Sequence, residues 1–155
     1  VVIGAGSLSF ELIRALVEKL PIMTTPRWVY VSTQPILIND LLDYLTGSIE
    51  KEIEGNKIFE VGCEDIVTYG DLMKIYADLR GLNRYIIPVP VLTPWLSSLW
   101  LGLVTPVYAR IGRKIIDSLK YSTVVKDHSV NDYFDIEPKN VSESVKIALE
   151  DEEKK

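Results

Sequence analysis

The stretch of sequence that decides the fold is VVIGAGSLSFELIRALVEKL, from Val1 to Leu20. It opens with three β-branched residues, turns through two glycines separated by one residue, and continues with leucine at every fourth position. This pattern predicts a buried strand over residues 1–4, a tight turn, and a helix that packs on a sheet. We therefore expect an α/β fold.

The two glycines of this stretch allow two interpretations. A dinucleotide-binding turn has the pattern Gly-x-Gly-x-x-Gly, and Gly4, Gly6 and Ser9 stand in those positions. Such a site also needs an acidic residue about 20 residues on, at the end of a second strand, to hold the ribose. Residues 21–27 read PIMTTPR and contain none. We therefore favour a late strand of a larger sheet, with a small independent nucleotide-binding domain as the alternative.

Composition limits the classes of function. The chain has 155 residues, the length of one domain, with 17 basic and 22 acidic side chains and a net charge of -5. This balance argues against a nucleic-acid partner, because a negative protein repels a phosphate backbone. Cys63 is the single cysteine, so we expect no internal disulfide and no thiolate metal site, as in a cytoplasmic protein.

The most apolar segment is PVPVLTPWLSSLWLGLVTPVYARIG, at residues 88–112. Four prolines interrupt it and leave about eleven residues between the last two, Pro94 and Pro106. A bilayer-spanning helix needs about 20 apolar residues. We therefore predict no transmembrane segment.

Three further extended segments are predicted. The WVYVS run from Trp28 to Ser32 and the KIFEVG run from Lys57 to Gly62 have the composition of short strands. The YIIPVP run from Tyr85 to Pro90 is extended too, but its prolines place it at the edge of a sheet or outside it. Pro21 and Pro26 are predicted to bound a turn before the first of these segments.

Further helices follow. One is predicted to begin near Asn39 or Asp40 and to end near Gly47, and another to begin with the capping pair Thr68 and Asp71. The residues that should face inward are Leu41, Leu42 and Leu45 in the former, and Leu72, Ile75, Tyr76 and Leu79 in the latter, which Gly81 closes. Helical segments are also predicted from Thr93 to Leu103, from Pro106 to Leu119 and from Ser142, before a frayed tail at residues 151–155.

Several segments carry a family resemblance. The chain from Val1 to Leu45, which includes VSTQPILIND, resembles the part of atypical and extended short-chain dehydrogenase/reductases that follows the catalytic Tyr-x-x-x-Lys helix. IFEVGCEDIVTYGDLMKIYADLRG resembles the next part, and LTPWLSSLWLGLVTPV resembles proteins related to NAD(P)H-binding nucleoside-diphosphate-sugar epimerases. The resemblance implies the C-terminal portion of a Rossmann-like fold. Residues 1–33 would be a late strand and helix of its sheet, and residues 34–155 a substrate-binding and cap part.

The resemblance also sets expectations about activity. No tyrosine in the chain has a lysine four residues later, and the Gly-x-x-Gly-x-x-Gly fingerprint does not occur, so we expect both to lie before Val1 in a longer parent. That parent would use NAD or NADP as an oxidoreductase or epimerase, and this chain alone would not turn over substrate. The alternative is a non-catalytic protein that uses the same scaffold to bind a ligand or a partner.

Site residues follow from position in the family. The resemblance implies that the exit turn Gly4, Ala5, Gly6 and Ser7 faces the nicotinamide, with Ser9 and Phe10 beside it in the substrate cleft. A purely structural role, with Ser7 or Ser9 capping the helix, explains the serines equally well.

The same resemblance implies that Arg27, Trp28, Gln34 and Trp95 line the substrate cleft. Each of them can instead be a surface or packing residue, and aromatic residues at helical spacing are more often core. Cys63 and His128 have no partners at catalytic or metal-ligand spacing and are interpreted as ordinary structural residues. We expect a small-molecule substrate, apolar or a sugar nucleotide, and self-association through exposed strand edges.

Overall fold

A computed structural model describes residues 1–89 and 121–154. The helical segments predicted from Thr93 to Leu119, and Trp95 with them, lie outside the described residues. The described chain forms a mixed α/β fold with short strands paired two by two.

The opening stretch folds as its pattern predicts. Strand β1 (Val2–Ile3) leads through the glycine turn into helix α1 (Leu8–Lys19). β1 pairs in parallel with β4 (Ile36–Leu37), with Val2 opposite Ile36. The apolar face of α1 packs into the larger of the two apolar clusters. Its buried residues are Phe10, Leu12, Ile13, Leu16 and Val17.

The turn predicted between Pro21 and Pro26 is wrong, because these prolines flank strand β2 (Ile22–Thr25). β2 pairs in parallel with β6 (Tyr85–Pro88), so the extended segment at residues 85–88 is confirmed. Burial alternates along this strand, with the side chains of Met23 and Thr25 inside. The strand was missed in the sequence because two inward side chains are too few to show a period of two.

The strand predicted from Trp28 to Ser32 is also wrong. Pro26 starts a 3₁₀ turn (Arg27–Tyr30), and its backbone carbonyl accepts from the Val29 N–H at 3.1 Å. Strand β3 (Ser32–Thr33) follows and pairs antiparallel with β5 (Val67–Thr68). Proline fixes the backbone angle that begins such a turn, which outweighs the β propensity of the residues after it.

Helix α2 (Ile38–Glu50) is confirmed, but its inward face is the predicted one only in part. Leu41 is half-buried and packs with the apolar cluster around Phe134, whereas Leu42 and Leu45 are 53% and 54% exposed. Asp40 and Tyr44 lie inside instead, and the Lys139 N–H donates to Asp40 Oδ2 at 2.7 Å. This tertiary hydrogen bond supplies the buried carboxyl with a partner that the sequence pattern does not reveal.

The KIFEVG segment, residues 57–62, does not form a strand. Its groups bond to other parts of the chain, with the Lys126 N–H donating to Glu60 Oε2 at 2.6 Å. The Cys63 N–H, directly after the segment, donates to the Pro35 carbonyl at 2.8 Å. An extended segment that bonds through side chains and isolated amides has no strand ladder.

Helix α3 (Tyr69–Leu79) begins with the predicted capping box. The Asp71 N–H donates to Thr68 Oγ1 at 3.1 Å, and the Thr68 N–H donates to Asp71 Oδ2 at 2.9 Å. Gly81 takes a φ of 64° after the helix, which is where a glycine ends a helix at least cost. Of the residues predicted to face inward, Leu72 and Tyr76 are buried and Leu79 is exposed.

The final helix α4 (Val141–Glu153) is confirmed and begins one residue before Ser142. Asn140 caps it by accepting from the Glu143 N–H at 2.9 Å, and the Val141 N–H donates to Asp65 Oδ2 at 2.9 Å. The helix continues through residues 151–153, into the stretch predicted to be a frayed tail.

The described residues form two apolar clusters. The larger one joins α1, α3 and α4, and the smaller one packs Ile36 and Tyr44 against Val130 and Phe134. Across residues 1–89 and 121–154, no helix has both the length and the apolar character needed to cross a bilayer.

Candidate functional site

The glycine turn, residues 4–7, is built by close packing. The Ser7 N–H donates to the Gly4 carbonyl at 3.0 Å, and Ser7 Oγ donates to the Val2 carbonyl at 2.7 Å. A Cβ at Gly4 would lie 2.7 Å from Ile38 Cγ2, closer than any side chain tolerates. Gly4 is thus needed because α2 starts directly against the turn, whereas Gly6 is needed for its φ of 95°.

The anion position of this turn is filled by the chain itself. The Gly6 N–H donates to Glu11 Oε1 at 2.9 Å, and Arg14 Nε donates to Glu11 Oε2 at 2.8 Å. A pyrophosphate brought to Gly6 would meet a carboxylate that already holds the amide, so the turn does not fit the phosphates of a dinucleotide. Ala5 and Gly6 have no side chain larger than a methyl group, and Gly6 is exposed; that they face a nicotinamide stays a prediction.

The strand pairing also bears on whether a dinucleotide-binding unit begins at Val1. The strand that follows α1 is β2, and it pairs with β6 rather than with β1. A dinucleotide-binding βαβ unit would place the strands on either side of α1 in one sheet. The alternative of a nucleotide-binding domain that begins at Val1 therefore lacks its second strand beside the first.

Ser9 and Phe10 lie on the first turn of α1. Phe10 is 2% exposed and packs edge-on against Tyr76, with 6.0 Å between ring centroids. Ser9 Oγ lies 3.3 Å from Ser7 Oγ. The structure therefore places Phe10 in the core, where a ligand cannot contact it without separating α1 from α3.

Arg27 and Trp28 lie on the 3₁₀ turn. Arg27 is exposed, and Trp28 is half-buried against Tyr69, with 5.9 Å between ring centroids. Ser9 and Trp28 share a space between α1 and α3 of only about 10 Å³. A space of this size holds no more than a water molecule, so these two residues do not form a ligand pocket there.

Gln34 connects two distant segments. Its Nε2 donates to the Cys63 carbonyl at 2.5 Å, and its Oε1 accepts from the Val125 N–H at 2.9 Å. A Cβ at Gly62 would lie 3.0 Å from both Gln34 Cγ and Val125 Cγ2, so the backbone approaches closely here. Each end of the Gln34 amide thereby makes one hydrogen bond, and together the two bonds fix the two segments next to each other.

These two segments, residues 60–66 and 125–138, form the walls of a cleft of about 710 Å³. Binding sites for small molecules have volumes of about 300–1,000 Å³. Gln34 and Cys63 border it and are buried, and the buried rings of Tyr44 and Phe134 reach it only with their edges. This cleft is the candidate binding site of the described chain.

The surroundings of the cleft shift the pKa values of two of its groups, one through hydrogen bonds and one through burial. The amides of Lys126 and Asp127 donate to Glu60 Oε2 at 2.6 and 3.3 Å, which holds the pKa of that carboxyl below its usual value. Burial raises the pKa of the Cys63 thiol. Cys63 therefore stays protonated near neutrality and is a poor nucleophile.

Metal binding has no support in the described part of the chain, since it contains no group of three or more His, Cys, Asp or Glu residues arranged to hold an ion. Cys63 and His128 were interpreted from the sequence as ordinary structural residues. Both line the cleft, Cys63 buried and His128 exposed at its rim.

Sequence reasoning missed most of this cleft. Its second wall, residues 121–138, has a 3₁₀ turn (Ser129–Asp132) and otherwise little regular structure, and it alternates polar residues with buried anchors such as Val130 and Phe134. A long segment with so little regular structure in a compact domain is usually functional or disordered. The length of this segment between two predicted helices was a signal that the sequence did contain.

Comparisons with known proteins agree with this fold. No protein-family model matches the chain, and no curated protein matches it. Among solved structures, RMD from Pseudomonas aeruginosa complexed with NADPH is similar, with a TM-score of 0.64, 14% identity, and coverage of 99% of this chain and 46% of that chain.

Two other reductases are similar as well. dTDP-4-dehydrorhamnose reductase from Bacillus anthracis, in complex with NADP, has a TM-score of 0.60 and 11% identity, covering 97% of this chain and 45% of that one. Triphenylmethane reductase from Citrobacter sp. has a TM-score of 0.64 and 18% identity, covering 90% and 48%. The sequence-based resemblance is thus confirmed at the level of the fold: over about half the length of these structures, the chain has the Rossmann-like fold of NAD(P)-binding reductases.

Proposed function

We propose that this chain is the substrate-binding half of an NAD(P)-dependent oxidoreductase, or of a sugar-nucleotide epimerase-like protein on the same scaffold. One observation carries the proposal. Nearly the whole chain matches less than half of two proteins solved with NADPH and NADP, one of them a reductase, while its own glycine turn does not fit phosphates. A half of such a protein that does not hold the phosphates is suited to the substrate.

The residues of the chain then divide into two tasks. Ala5 and Gly6 let the nicotinamide approach, and the cofactor, when bound, supplies the hydride. Gln34 is a positioning residue, because it holds the cleft walls together through its two hydrogen bonds. The cleft binds the small-molecule substrate.

The acidic net charge and the lone cysteine support a cytoplasmic protein that does not bind nucleic acid.

The test is a screen for ligands of the cleft. Neutral carbonyl compounds and sugar nucleotides are added to the ¹⁵N-labelled chain, and amide shifts are followed for Val125 and Asn131 in the cleft and for Ile49 on the outer face of α2. We expect at least one class of compound to shift the cleft amides saturably and to leave Ile49 unchanged. Shifts confined to residues outside the cleft, or none, would contradict the proposal.

A second candidate is a non-catalytic partner-binding protein, and one observation favours it. Leu42, Leu45 and Ile49 form an exposed apolar stripe on α2, and Ile49 is 84% exposed. Apolar stripes of this kind mark protein contacts when they are large enough. This candidate predicts that the chain sediments as a dimer and that Leu45→Glu returns it to the monomer, whereas cleft ligands have no effect on its mass.

A further inference from the structure

The second wall of the cleft is fixed at both ends by backbone N–H groups that donate to side chains of distant segments. The first end is held at Val125 and Lys126, and the second end at Lys139 and Val141. The acceptors, at 2.6 to 2.9 Å, are side-chain oxygens of Gln34, Glu60, Asp40 and Asp65. Residues 128–138, which we call the strap, lie between these two fixed ends.

The backbone hydrogen bonds of the strap itself are all local. The N–H groups of Asn131, Tyr133 and Phe134, the strap amides, donate to carbonyls within the strap at 2.9 to 3.1 Å. The Ser129 N–H donates to Asp127 Oδ1, directly before the strap, at 2.9 Å. Among residues 1–89 and 121–154, no backbone group of the strap bonds to a residue outside 127–138. A displacement of the strap therefore breaks no backbone hydrogen bond to a neighbouring segment.

Apolar side chains hold the middle of the strap in place. Val130 and Phe134 are 5% and 7% exposed and belong to the smaller apolar cluster, with Ile136 half-buried beside them. Helix α2 leaves room for the Phe134 ring at Gly47, where a Cβ would lie 3.3 Å from two ring carbons. The larger cluster of α1, α3 and α4 contains no residue of the strap. The packing of the strap is thus separate from the main core.

Tyr133 adds a contact at the surface. Its ring lies 5.1 Å from the Phe59 ring, measured between centroids, and its hydroxyl accepts a hydrogen bond from the Lys57 ammonium. This hydrogen bond is exposed, so water can replace either partner when the contact opens. Release of the strap is therefore opposed mainly by the burial of Val130 and Phe134.

We propose that the strap opens and closes as one unit between its two fixed ends, while the main core stays folded, and that this motion changes the width of the cleft. Segments that open locally have few buried contacts and few backbone bonds to their neighbours, and the strap has both features. Because the strap forms one wall of the cleft, its release widens the cleft and its return encloses a bound molecule. That this molecule is the substrate rests on the proposed function, whereas the motion itself does not.

Native-state hydrogen exchange on the ¹⁵N-labelled chain tests the proposal. The three strap amides should exchange through one shared opening, faster than the amide of Leu16 in the main core. The amides of Val125 and Lys139 should exchange more slowly than the strap amides, because the fixed ends keep their hydrogen bonds when the strap opens.

A matched pair of valine variants separates the strap from the main core. Val130→Ala and Val145→Ala each remove two carbons from a buried side chain, one in the strap and one in α4. Val130→Ala destabilises the closed strap relative to every open state, so it should speed exchange at the strap amides and at Leu16 by the same factor. That factor is about tenfold, as expected for two buried methylene groups. Val145→Ala should speed exchange at Leu16 and leave the strap amides unchanged, because its packing stays intact when only the strap opens.

The outcomes separate the strap from the proposed function. If Val145→Ala speeds the strap amides as much as Leu16, the strap opens only when the whole chain unfolds, and the proposal is wrong. Exchange of Val125 and Lys139 together with the strap amides would show that the ends are not fixed, which also overturns it. Neither result affects the ligand screen of the cleft.

The ligand screen in turn tests the role of the strap in the site. A compound of the screen that shifts the cleft amides should slow exchange at the strap amides, because it binds while the strap is closed. Binding without this protection would overturn that role. If the strap opens as expected and no compound binds the cleft, the motion stands and the proposed function is overturned.

Discussion

Two regions of this molecule are held together in different ways. The region of α1, α3 and α4 is a core of contiguous apolar side chains, in which the rings of Phe10 and Tyr76 are in contact. The region around the cleft has little regular structure and is held by side chains that bond to the backbone of distant segments, as Gln34, Asp40 and Asp65 do. Apolar side chains stabilise the core together, whereas each of these hydrogen bonds holds one segment in place. The loss of one core side chain should therefore lower the free energy of unfolding of the whole chain, and the loss of one such hydrogen bond should speed local opening of its own segment.

The largest expected effect is in the core. Phe10→Ala should lower the free energy of unfolding by about 3–5 kcal/mol, because it leaves a cavity between α1 and α3. Urea denaturation followed by circular dichroism measures this. The exposed Ile58→Ala is the control and should change the value by less than about 0.5 kcal/mol. A small loss for Phe10→Ala would mean that this ring is available to a ligand, as the family resemblance implies.

A smaller and more local effect is expected at the cleft. Gln34→Met keeps the shape of the side chain but leaves the Cys63 carbonyl and the Val125 N–H without their partner, at a cost of about 1–3 kcal/mol. Hydrogen exchange should accelerate at Val125 and stay unchanged in α1. Gln34→Glu retains an acceptor for Val125 but places an oxygen against the Cys63 carbonyl, so it should restore protection at the Val125 amide only in acid, where the carboxyl is protonated and donates to that carbonyl. Uniform acceleration across the chain would show that the two regions unfold as one unit.

The smallest effect is at the cap of α3, and it depends on pH. The Thr68 hydroxyl and amide hold the pKa of Asp71 below its ordinary value, so the folded state favours the ionised form. A depressed carboxyl pKa contributes stability above the unfolded pKa, and this contribution is lost as pH falls through the folded value. Asp71→Asn should therefore cost up to about 1 kcal/mol at neutral pH. The difference from the unsubstituted chain should vanish in acid; a constant difference down to low pH would contradict it.

The same contrast explains what the sequence could predict. Helices α1 and α4 and the capping box at Thr68 were found because their signals are local: an apolar period, a cap, and an acidic residue three positions later. The inward face of α2 was found only in part: Leu41 packs inside, but Leu42 and Leu45 are exposed, and Asp40 is buried with a bond to Lys139, 99 residues away in the chain. Strand β2 and the loss of strand structure at residues 57–62 depend equally on remote partners.

In the candidate site, too, local features could be predicted from the sequence and contacts between distant segments could not. Gln34 was singled out from the sequence as a polar amide before an apolar run, and the structure gives it two hydrogen-bond partners, one of them 91 residues away. The cleft itself could not be placed from sequence, because its walls at residues 60–66 and 125–138 meet only in the folded chain. The glycines at residues 4 and 6 were visible, but the carboxylate of Glu11 on the Gly6 amide was not.

The central claim is that this chain holds the substrate and not the phosphates of the cofactor. Its most direct test is a titration of NADPH into the chain, followed by the fluorescence of the reduced nicotinamide, with inorganic pyrophosphate titrated separately and followed by the amide shift of Gly6. The account predicts no saturable binding of NADPH in the micromolar range and no shift of Gly6 with pyrophosphate. Micromolar binding of NADPH together with a saturable pyrophosphate shift of Gly6 would place a phosphate on the turn and contradict the account.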